Sequence, residues 1–127
     1  MFNRDEPFYQ PLELTLKTYW DGLNRSDSNV LNVVYFGRET CGPCVRTTPE
    51  YYKTIDYFQK MWYNIAFWFV DTDIVDSNYL LEDVGVKGVP SFLYYKNSNE
   101  VFRSDGFHFE WQITDEIFDI LRGVYEG

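Results

Sequence analysis

The only two cysteines of this 127-residue chain lie within the segment Cys41–Cys44, with Gly42 and Pro43 between them. An almost wholly apolar run over residues 30–37 precedes them and predicts a strand that is covered on both faces. Residues 43–62 predict a long helix, whose first turn tolerates Pro43 because its N–H groups have no intrahelical acceptor. A thiol pair between a buried strand and a helix indicates a pair that cycles between dithiol and disulfide.

Helix geometry assigns different roles to the two thiols. Cys41 is predicted at the N-terminal end of the helix, where free N–H groups and the helix dipole favour a thiolate. Cys41 is therefore the predicted attacking thiol, and Cys44, one turn further in, is the predicted resolving thiol.

The cysteine pair has two alternative uses. A structural disulfide between Cys41 and Cys44 would close a loop of about four residues. It would add only about 2 kcal/mol to the stability of the fold, so a purely stabilising role is a weak explanation of the pair. A closed zinc site needs four ligands, and beyond the two cysteines the chain offers only His108 and carboxylates. We therefore predict no bound metal.

Composition excludes several classes of function. The net charge is −9, with one histidine and no run of Lys or Arg, which argues against direct binding to nucleic acid or to an anionic membrane. Met1–Pro7 contains no apolar secretory region, and no window approaches about 18 consecutive apolar residues. We expect one domain over residues 1–127 and a cytoplasmic monomer. The 20% aromatic content predicts an aromatic core, with an aromatic binding surface as the alternative.

Periodicity predicts the N-terminal elements. Residues 1–9 are expected to form an irregular arm. Apolar residues at helical spacing predict an amphipathic helix over 10–23, although Leu12, Leu14 and Leu16 also alternate as in a short strand. Pro49 lies inside the long helix and should kink it, because it removes a backbone hydrogen bond.

The second half of the chain predicts three strands and two helices. The order is a strand over 65–70, a helix over 76–83 capped by Asp76 or Ser77, a hairpin of 91–96 and 100–104, and a helix over 113–125. The first two strands of the chain should be parallel because a helix connects them. The prediction is an α/β three-layer sandwich, with helices on both faces of a mixed sheet of four strands, or five if 12–16 contributes one.

Three motifs together carry a resemblance to a known family. They are the CGPC segment after a buried strand, Pro49 five residues beyond Cys44, and the segment Val86–Pro90 opening the next strand. Gly106 follows the hairpin at the position of a further glycine of that family. Over roughly residues 28–122 the chain resembles thioredoxin.

The resemblance implies a thioredoxin-like fold and a redox site without a bound cofactor. Pro90 would form a cis peptide bond with Val89 and face the cysteine pair, and the Val89 backbone would pair with an extended substrate segment. The walls of the groove would be Thr40, Gly42, Pro43 and the Gly106 loop.

Three residues depart from the family pattern. Thr40 and Gly37 stand where the family has tryptophans, and Tyr35 stands where it has a buried aspartate that is thought to help deprotonate the second cysteine. A tyrosine with a pKa near ~10 is not an efficient base at neutral pH. We hypothesise that Asp71 or Asp73, after the 65–70 strand, partly replaces that acid; solvated turn residues are the simpler interpretation.

The other charged or polar residues that could act at the site each have a simpler interpretation. His108, in an alternating aromatic segment, is more simply a polar position than a catalytic group. Arg38, Arg46 and Lys87 could offset the negative field around Cys41, or they are solvated charges.

Two functions follow from the sequence. The first is a thiol–disulfide oxidoreductase that mainly reduces protein disulfides and receives electrons from a separate reductase of the thioredoxin-reductase type. The alternative is a thioredoxin-fold binding subunit of a larger assembly, in which redox activity is incidental.

Overall fold

The computed structural model describes residues 11–24, 30–74 and 76–125, so the predicted arm over 1–9 lies outside the described residues. Within these ranges the chain forms five strands and four helices. The strands are β1 (Leu12–Glu13), β2 (Leu31–Gly37), β3 (Ile65–Asp71), β4 (Ser91–Lys96) and β5 (Asn99–Asp105). The helices are α1 (Tyr19–Asn24), α2 (Gly42–Lys60), α3 (Ser77–Val84) and α4 (Glu110–Leu121).

The strands form one mixed sheet in the order β1-β3-β2-β4-β5. β3 runs parallel to both β1 and β2, whereas β4 is antiparallel to β2 and to β5. The predicted α/β sandwich is confirmed, with the fifth strand supplied by the N-terminal segment. Every residue of β2 is buried, as expected for a central strand with helices on both faces.

Alternation along β2 divides the interior into two cores. Leu31, Val33 and Tyr35 point to the face that packs against α2 and α4, while Val34 and Phe36 point to the face that packs against α1 and α3. The first core is rich in aromatic side chains, which confirms that much of the aromatic content fills the interior.

The predicted helix over 10–23 is wrong in its first half. Leu12–Glu13 forms β1, and the Leu14 N–H continues its pairing by donating to the Phe69 carbonyl at 2.7 Å. The Thr18 hydroxyl then accepts a hydrogen bond from the Thr15 N–H at 2.9 Å, and the helix begins only at Tyr19. Pairing with the edge of β3 therefore outweighs the helical spacing of the leucines.

The last helix is displaced from its predicted range of 113–125. It begins at Glu110, because the Gln112 side chain accepts a hydrogen bond from the Phe109 N–H at 2.8 Å and closes the first turn. Gly123, at φ +78°, lies just beyond its end. α3 has Asp76 at its N-cap without a side-chain capping bond, and α2 continues unbroken through Pro49.

We predict that Phe58→Ala lowers the free energy of unfolding by about 3–5 kcal/mol. Phe58 is fully buried, and its ring lies 5.2 Å from Tyr63 and 5.3 Å from Phe118, between centroids. The substitution would leave a cavity in the larger core. Urea denaturation followed by fluorescence measures the loss.

The matched control is Tyr79→Ala, which removes an aromatic side chain that is 66% exposed in α3. It should change stability by no more than about 0.5 kcal/mol. Equal losses in the two variants would contradict the assignment of Phe58 to the core.

Candidate active site

Cys41 is the N-cap residue of α2. Its backbone is extended, at φ −99° and ψ 119°, and its sulfur accepts a hydrogen bond from the Cys44 N–H at 3.2 Å. A Cys41 sulfur therefore takes the place that a serine or threonine oxygen usually holds at a helix start. Both cysteines are free thiols; Cys41 is partly exposed and Cys44 is buried. The sulfur nearer to solvent is thus the one that caps the helix.

A second segment faces Cys41 across the site. The Cys41 thiol donates a weak hydrogen bond to the Val89 carbonyl at 3.7 Å, and the Val89–Pro90 peptide bond is cis. The Gly106 N–H donates to the Pro90 carbonyl at 2.8 Å. Gly106 has φ +87°, a conformation that glycine adopts without steric cost. The cysteine turn, the Val89–Pro90 segment and the Gly106 loop therefore meet at one end of the sheet.

The other predicted groove residues lie on the surface beside Cys41. Thr40, Gly42 and Pro43 are exposed, and Val89 and Gly106 are half-buried. The Thr40 hydroxyl lies 3.4 Å from a carboxylate oxygen of Asp73. The structure thus brings together all the residues that the sequence assigned to the groove, and their roles stay predictions.

The buried thiol is held in its protonated form. Burial raises the pKa of Cys44 to about 12, and the hydrogen bond with Cys41 adds to the shift. The Arg38 backbone N–H and the Tyr35 hydroxyl act in the opposite direction but do not offset it. At neutral pH Cys44 is therefore a thiol that needs assistance before it can attack.

Tyr35 occupies the core directly behind the cysteines. It is fully buried, and its hydroxyl donates to the Cys44 carbonyl at 3.2 Å and lies 3.0 Å from the Thr48 hydroxyl. The Thr48 hydroxyl donates to the same carbonyl at 2.9 Å. The position of the family's aspartate therefore faces Cys44 here, with a phenol instead of a carboxylate.

Asp71 and Asp73 form a turn at the edge of the site. A carboxylate oxygen of Asp71 accepts the Asp73 N–H at 2.9 Å, and the Asp71 carbonyl accepts the Ser77 hydroxyl at 2.7 Å. Across residues 11–24, 30–74 and 76–125, no hydrogen bond joins either carboxylate to Cys44. The contacts support the turn interpretation, and the hypothesis of a substitute acid gains no support from them.

His108 belongs to a buried polar cluster on the far side of the Gly106 loop. Its Nδ1–H donates to the Gly106 carbonyl at 2.7 Å, while Nε2 lies 3.1 Å from a carboxylate oxygen of Glu116. The hydroxyls of Ser104 and Tyr94 donate to the other oxygen of Glu116, at 2.8 and 2.7 Å. Carbonyl and carboxylate oxygens only accept, so this geometry fits a doubly protonated ring. The cluster fastens the loop to α4.

The charge state of His108 follows from these contacts. Burial lowers its pKa, but the hydrogen bonds to Glu116 and to the Gly106 carbonyl outweigh that effect, and the pKa is raised overall. The negative charge of Asp105 acts in the same direction. His108 is a polar position of the core, as the simpler sequence interpretation has it, and its contacts join it to the loop and not to the thiols.

Arg46, one of the three predicted cations, packs its charged group against an aromatic ring. The Arg46 guanidinium lies 5.2 Å from the centroid of the Phe107 ring, a cation–π distance.

In the part of the chain that the structure describes, no group of three or more His, Cys, Asp or Glu side chains could hold a metal ion. None of the helices placed there is both long and apolar enough to cross a membrane.

Sequence reasoning missed two residues that lie next to Tyr35. Thr48 lies one helical turn beyond Cys44, and that spacing could have indicated a hydroxyl bonded to the Cys44 carbonyl. Gly37 was noted only as a missing tryptophan, although it lies two residues from Tyr35 on the same face of β2.

Comparisons with known proteins agree on one family. The family model described as thioredoxin matches residues 10–118. Thioredoxin 1 of Plasmodium falciparum is 32% identical over 73 residues, which is 58% of this chain and 64% of that protein. Thioredoxin H-type of Fagopyrum esculentum is 35% identical over 80 residues, which is 63% of this chain and 64% of that protein. The chain therefore spans slightly less than two thirds of these relatives.

Two solved structures share the fold over nearly the whole chain. Thioredoxin f2 of Chlamydomonas reinhardtii superposes with a TM-score of 0.70 at 25% identity, covering 92% of this chain and 97% of that one. Thioredoxin of Trypanosoma brucei brucei gives a TM-score of 0.76 at 16% identity, covering 96% and 99%. The second likeness concerns the fold alone.

We predict that iodoacetamide at pH 7 modifies Cys41 at least about tenfold faster than Cys44. Cys41 is partly exposed, whereas Cys44 is fully buried and its raised pKa leaves almost no thiolate. Timed quenching and peptide mass mapping give the two rates. Equal labelling in the folded protein would contradict the geometry, and equal labelling in urea is the control.

We predict that His108→Gln destabilises the protein by about 1–3 kcal/mol at pH 6 and by less at higher pH. The folded-state pKa of His108 is raised. Its stabilising contribution is therefore complete below the unfolded value of about 6.5 and is lost as the pH rises through the folded value. Urea unfolding of the wild type and the variant from pH 6 to 9 measures the difference in their free energies of unfolding. A difference that stays constant over this range would contradict a charged pair between His108 and Glu116.

Proposed function

This chain belongs to the thioredoxin family, and from that premise we propose that it is a thiol–disulfide oxidoreductase whose main direction is the reduction of disulfides in other proteins. One observation carries the proposal: a partly exposed Cys41 sulfur lies at the start of a helix, and the buried Cys44 N–H donates to it at 3.2 Å. Disulfide exchange needs an attacking thiol that a substrate can reach and a resolving thiol close to it, and this arrangement supplies both.

In the first step the Cys41 thiolate attacks one sulfur of a substrate disulfide. A bond forms between Cys41 Sγ and that sulfur, the substrate S–S bond breaks, and its electron pair leaves on the second substrate sulfur, which takes up a proton. The N–H groups at the start of α2 stabilise the thiolate before attack, and the Cys44 N–H already points at the Cys41 sulfur.

In the second step Cys44 attacks Cys41. The Cys44 sulfur loses its proton and bonds to Cys41 Sγ, and the bond between Cys41 and the substrate breaks with its electron pair on the substrate sulfur. The substrate has then gained two electrons and two protons, and the protein holds a Cys41–Cys44 disulfide. Positioning matters most here, because the pKa of Cys44 is raised to about 12 and few Cys44 thiols are ionised at neutral pH.

Substrate docking is proposed at the edge formed by Val89, with an extended segment pairing to its backbone. The Val89 carbonyl already contacts the Cys41 sulfur, so a segment in register with Val89 would bring its disulfide to that sulfur. Thr40, Gly42 and Pro43 would border the segment on one side and the Gly106 loop on the other.

The cycle needs partners but no bound cofactor. Disulfide-containing proteins are the substrates, and a separate reductase of the thioredoxin-reductase type returns two electrons to the Cys41–Cys44 disulfide. We place this monomer in the cytoplasm, where reducing conditions keep thiol pairs in the dithiol form, and we assign it to electron transfer in cell redox homeostasis.

A second candidate function, a binding subunit of a larger assembly, is favoured by one observation. Phe109 and Trp111 are 49% and 63% exposed, and they line a cavity of about 420 Å³ between α2 and α4 together with Tyr57. Exposed aromatic side chains around a hollow are typical of protein-binding surfaces. In that case the cysteines would be incidental.

We predict that the purified protein reduces insulin disulfides in the presence of dithiothreitol and that Cys41→Ser reduces the rate to background. Cys44→Ser should accumulate a mixed disulfide between Cys41 and a substrate chain, visible by non-reducing mass spectrometry, because the resolving thiol is missing. Ser98→Ala, in an exposed turn, is the control and should keep the wild-type rate.

The same variants separate the two functions in the organism that carries the protein. Loss of function in both Cys41→Ser and the Cys41→Ser/Cys44→Ser double variant supports the oxidoreductase. Retained function in both variants would contradict the oxidoreductase proposal and favour the binding subunit.

A further inference from the structure

Two buried hydroxyl groups lie beside Cys44, the proposed resolving thiol. The Tyr35 hydroxyl lies 3.2 Å from the Cys44 carbonyl oxygen and the Thr48 hydroxyl lies 2.9 Å from it. The two hydroxyl oxygens lie 3.0 Å from each other. Each hydroxyl has a single hydrogen, so the two hydrogens cannot fill three contacts at once. Because Thr48 makes the shorter bond to the carbonyl, the hydrogen of Tyr35 can turn away from it without leaving that carbonyl unbonded.

The Tyr35 ring is held in place on several sides. Its centroid lies 5.0 Å from Phe92 in a stacked arrangement, 5.0 Å from Tyr51 and 5.9 Å from Phe69. The ring therefore cannot swing, and only the hydroxyl hydrogen can change its direction.

Gly37 provides the space that the phenol occupies. A Cβ atom at this position would lie 2.9 Å from both Cζ and the hydroxyl oxygen of Tyr35, closer than real contacts allow. Two of the three departures from the family pattern are therefore one structural change. The small residue at 37 is what lets the larger residue at 35 reach Cys44.

The phenol acts as a donor and not as a base. Burial raises the pKa of Tyr35, and the charges of Cys44 and Cys41 raise it further, so Tyr35 keeps its proton at every physiological pH. The same hydroxyl, which lies beside Cys44, acts to lower the pKa of that thiol. A donor stabilises a thiolate after the proton has left, whereas a carboxylate would accept that proton.

We propose that Tyr35 is a positioning residue for the resolving step, and that its hydroxyl hydrogen turns to the Cys44 sulfur as the thiolate forms while Thr48 keeps the Cys44 carbonyl. The proposal rests on the proposed disulfide exchange. The Cys44 proton leaves to solvent and the departing substrate sulfur takes one up, the electron pair of Cys44 forms the bond to Cys41, and Tyr35 is unchanged at the end.

The test is Tyr35→Phe, studied by single-turnover reduction of a disulfide peptide. The second step should slow about tenfold at pH 7 because the thiolate loses one charged hydrogen bond. Its pH profile should move to higher pH, and the attack of Cys41 should keep its rate. A substitution that only loosened the fold would not shift the pH profile of one step.

Tyr51→Phe is the matched control. Tyr51 is equally buried in the same core, but its hydroxyl donates to the Trp68 carbonyl at 2.8 Å and lies 3.3 Å from the Val33 carbonyl. It should cost stability without changing the pH profile of the second step. An equal shift of the second-step pH profile to higher pH in both variants overturns the proposal, and so does the absence of any shift in Tyr35→Phe.

A second measurement needs no substrate. In a Cys41→Ser background, the ¹³Cβ chemical shift of labelled Cys44 reports its ionisation, and adding Tyr35→Phe should raise its pKa. An unchanged pKa overturns the role of Tyr35 whatever the enzyme assay gives. A wild-type protein that reduces no disulfide while this shift is observed would contradict the proposed function instead.

Discussion

The burial of β2 on both faces is the constraint on which the rest of the structure depends. All of its residues from Leu31 to Gly37 are buried, and its alternating side chains enter both cores. Such a strand is stable only when helices cover both sides, so one helix must cross over directly from its end. The turn that begins this crossover carries the cysteines. The position of the thiols is therefore a consequence of how the central strand is covered.

Much of this architecture is readable from the sequence because apolar runs and turn residues are local signals. The strands over 65–70 and 91–96 were predicted within one residue of β3 and β4. The first helix was not, because the spacing of the leucines fits two periodicities and only pairing with β3 decides between them. The start of α4 depends on a bond from the Phe109 N–H to the Gln112 side chain, and no periodicity shows this.

Some features of the active site are likewise visible as short sequence motifs, whereas others depend on contacts that only the folded structure shows. The cysteines, Val89–Pro90 and Gly106 were found as motifs, and the fold brings them together. The relation between Tyr35 and Gly37 was missed, because each residue taken alone is only an absent family residue. Their dependence is steric, because a Cβ atom at position 37 would lie only 2.9 Å from the Tyr35 hydroxyl oxygen. The two departures at Tyr35 and Gly37, at the C-terminal end of β2, thus form one alternative packing behind the same cysteine pair.

The hydrogen bonds around His108 connect the loop beside the active site to helix α4. They connect the Gly106 carbonyl to Glu116 in α4, and Glu116 in turn to Tyr94 in β4. The Gly106 N–H is bonded to the Pro90 carbonyl on the opposite side. The rim around the reactive sulfur and α4 are therefore joined by a continuous series of hydrogen bonds, so that any separation of α4 from this rim would have to break them.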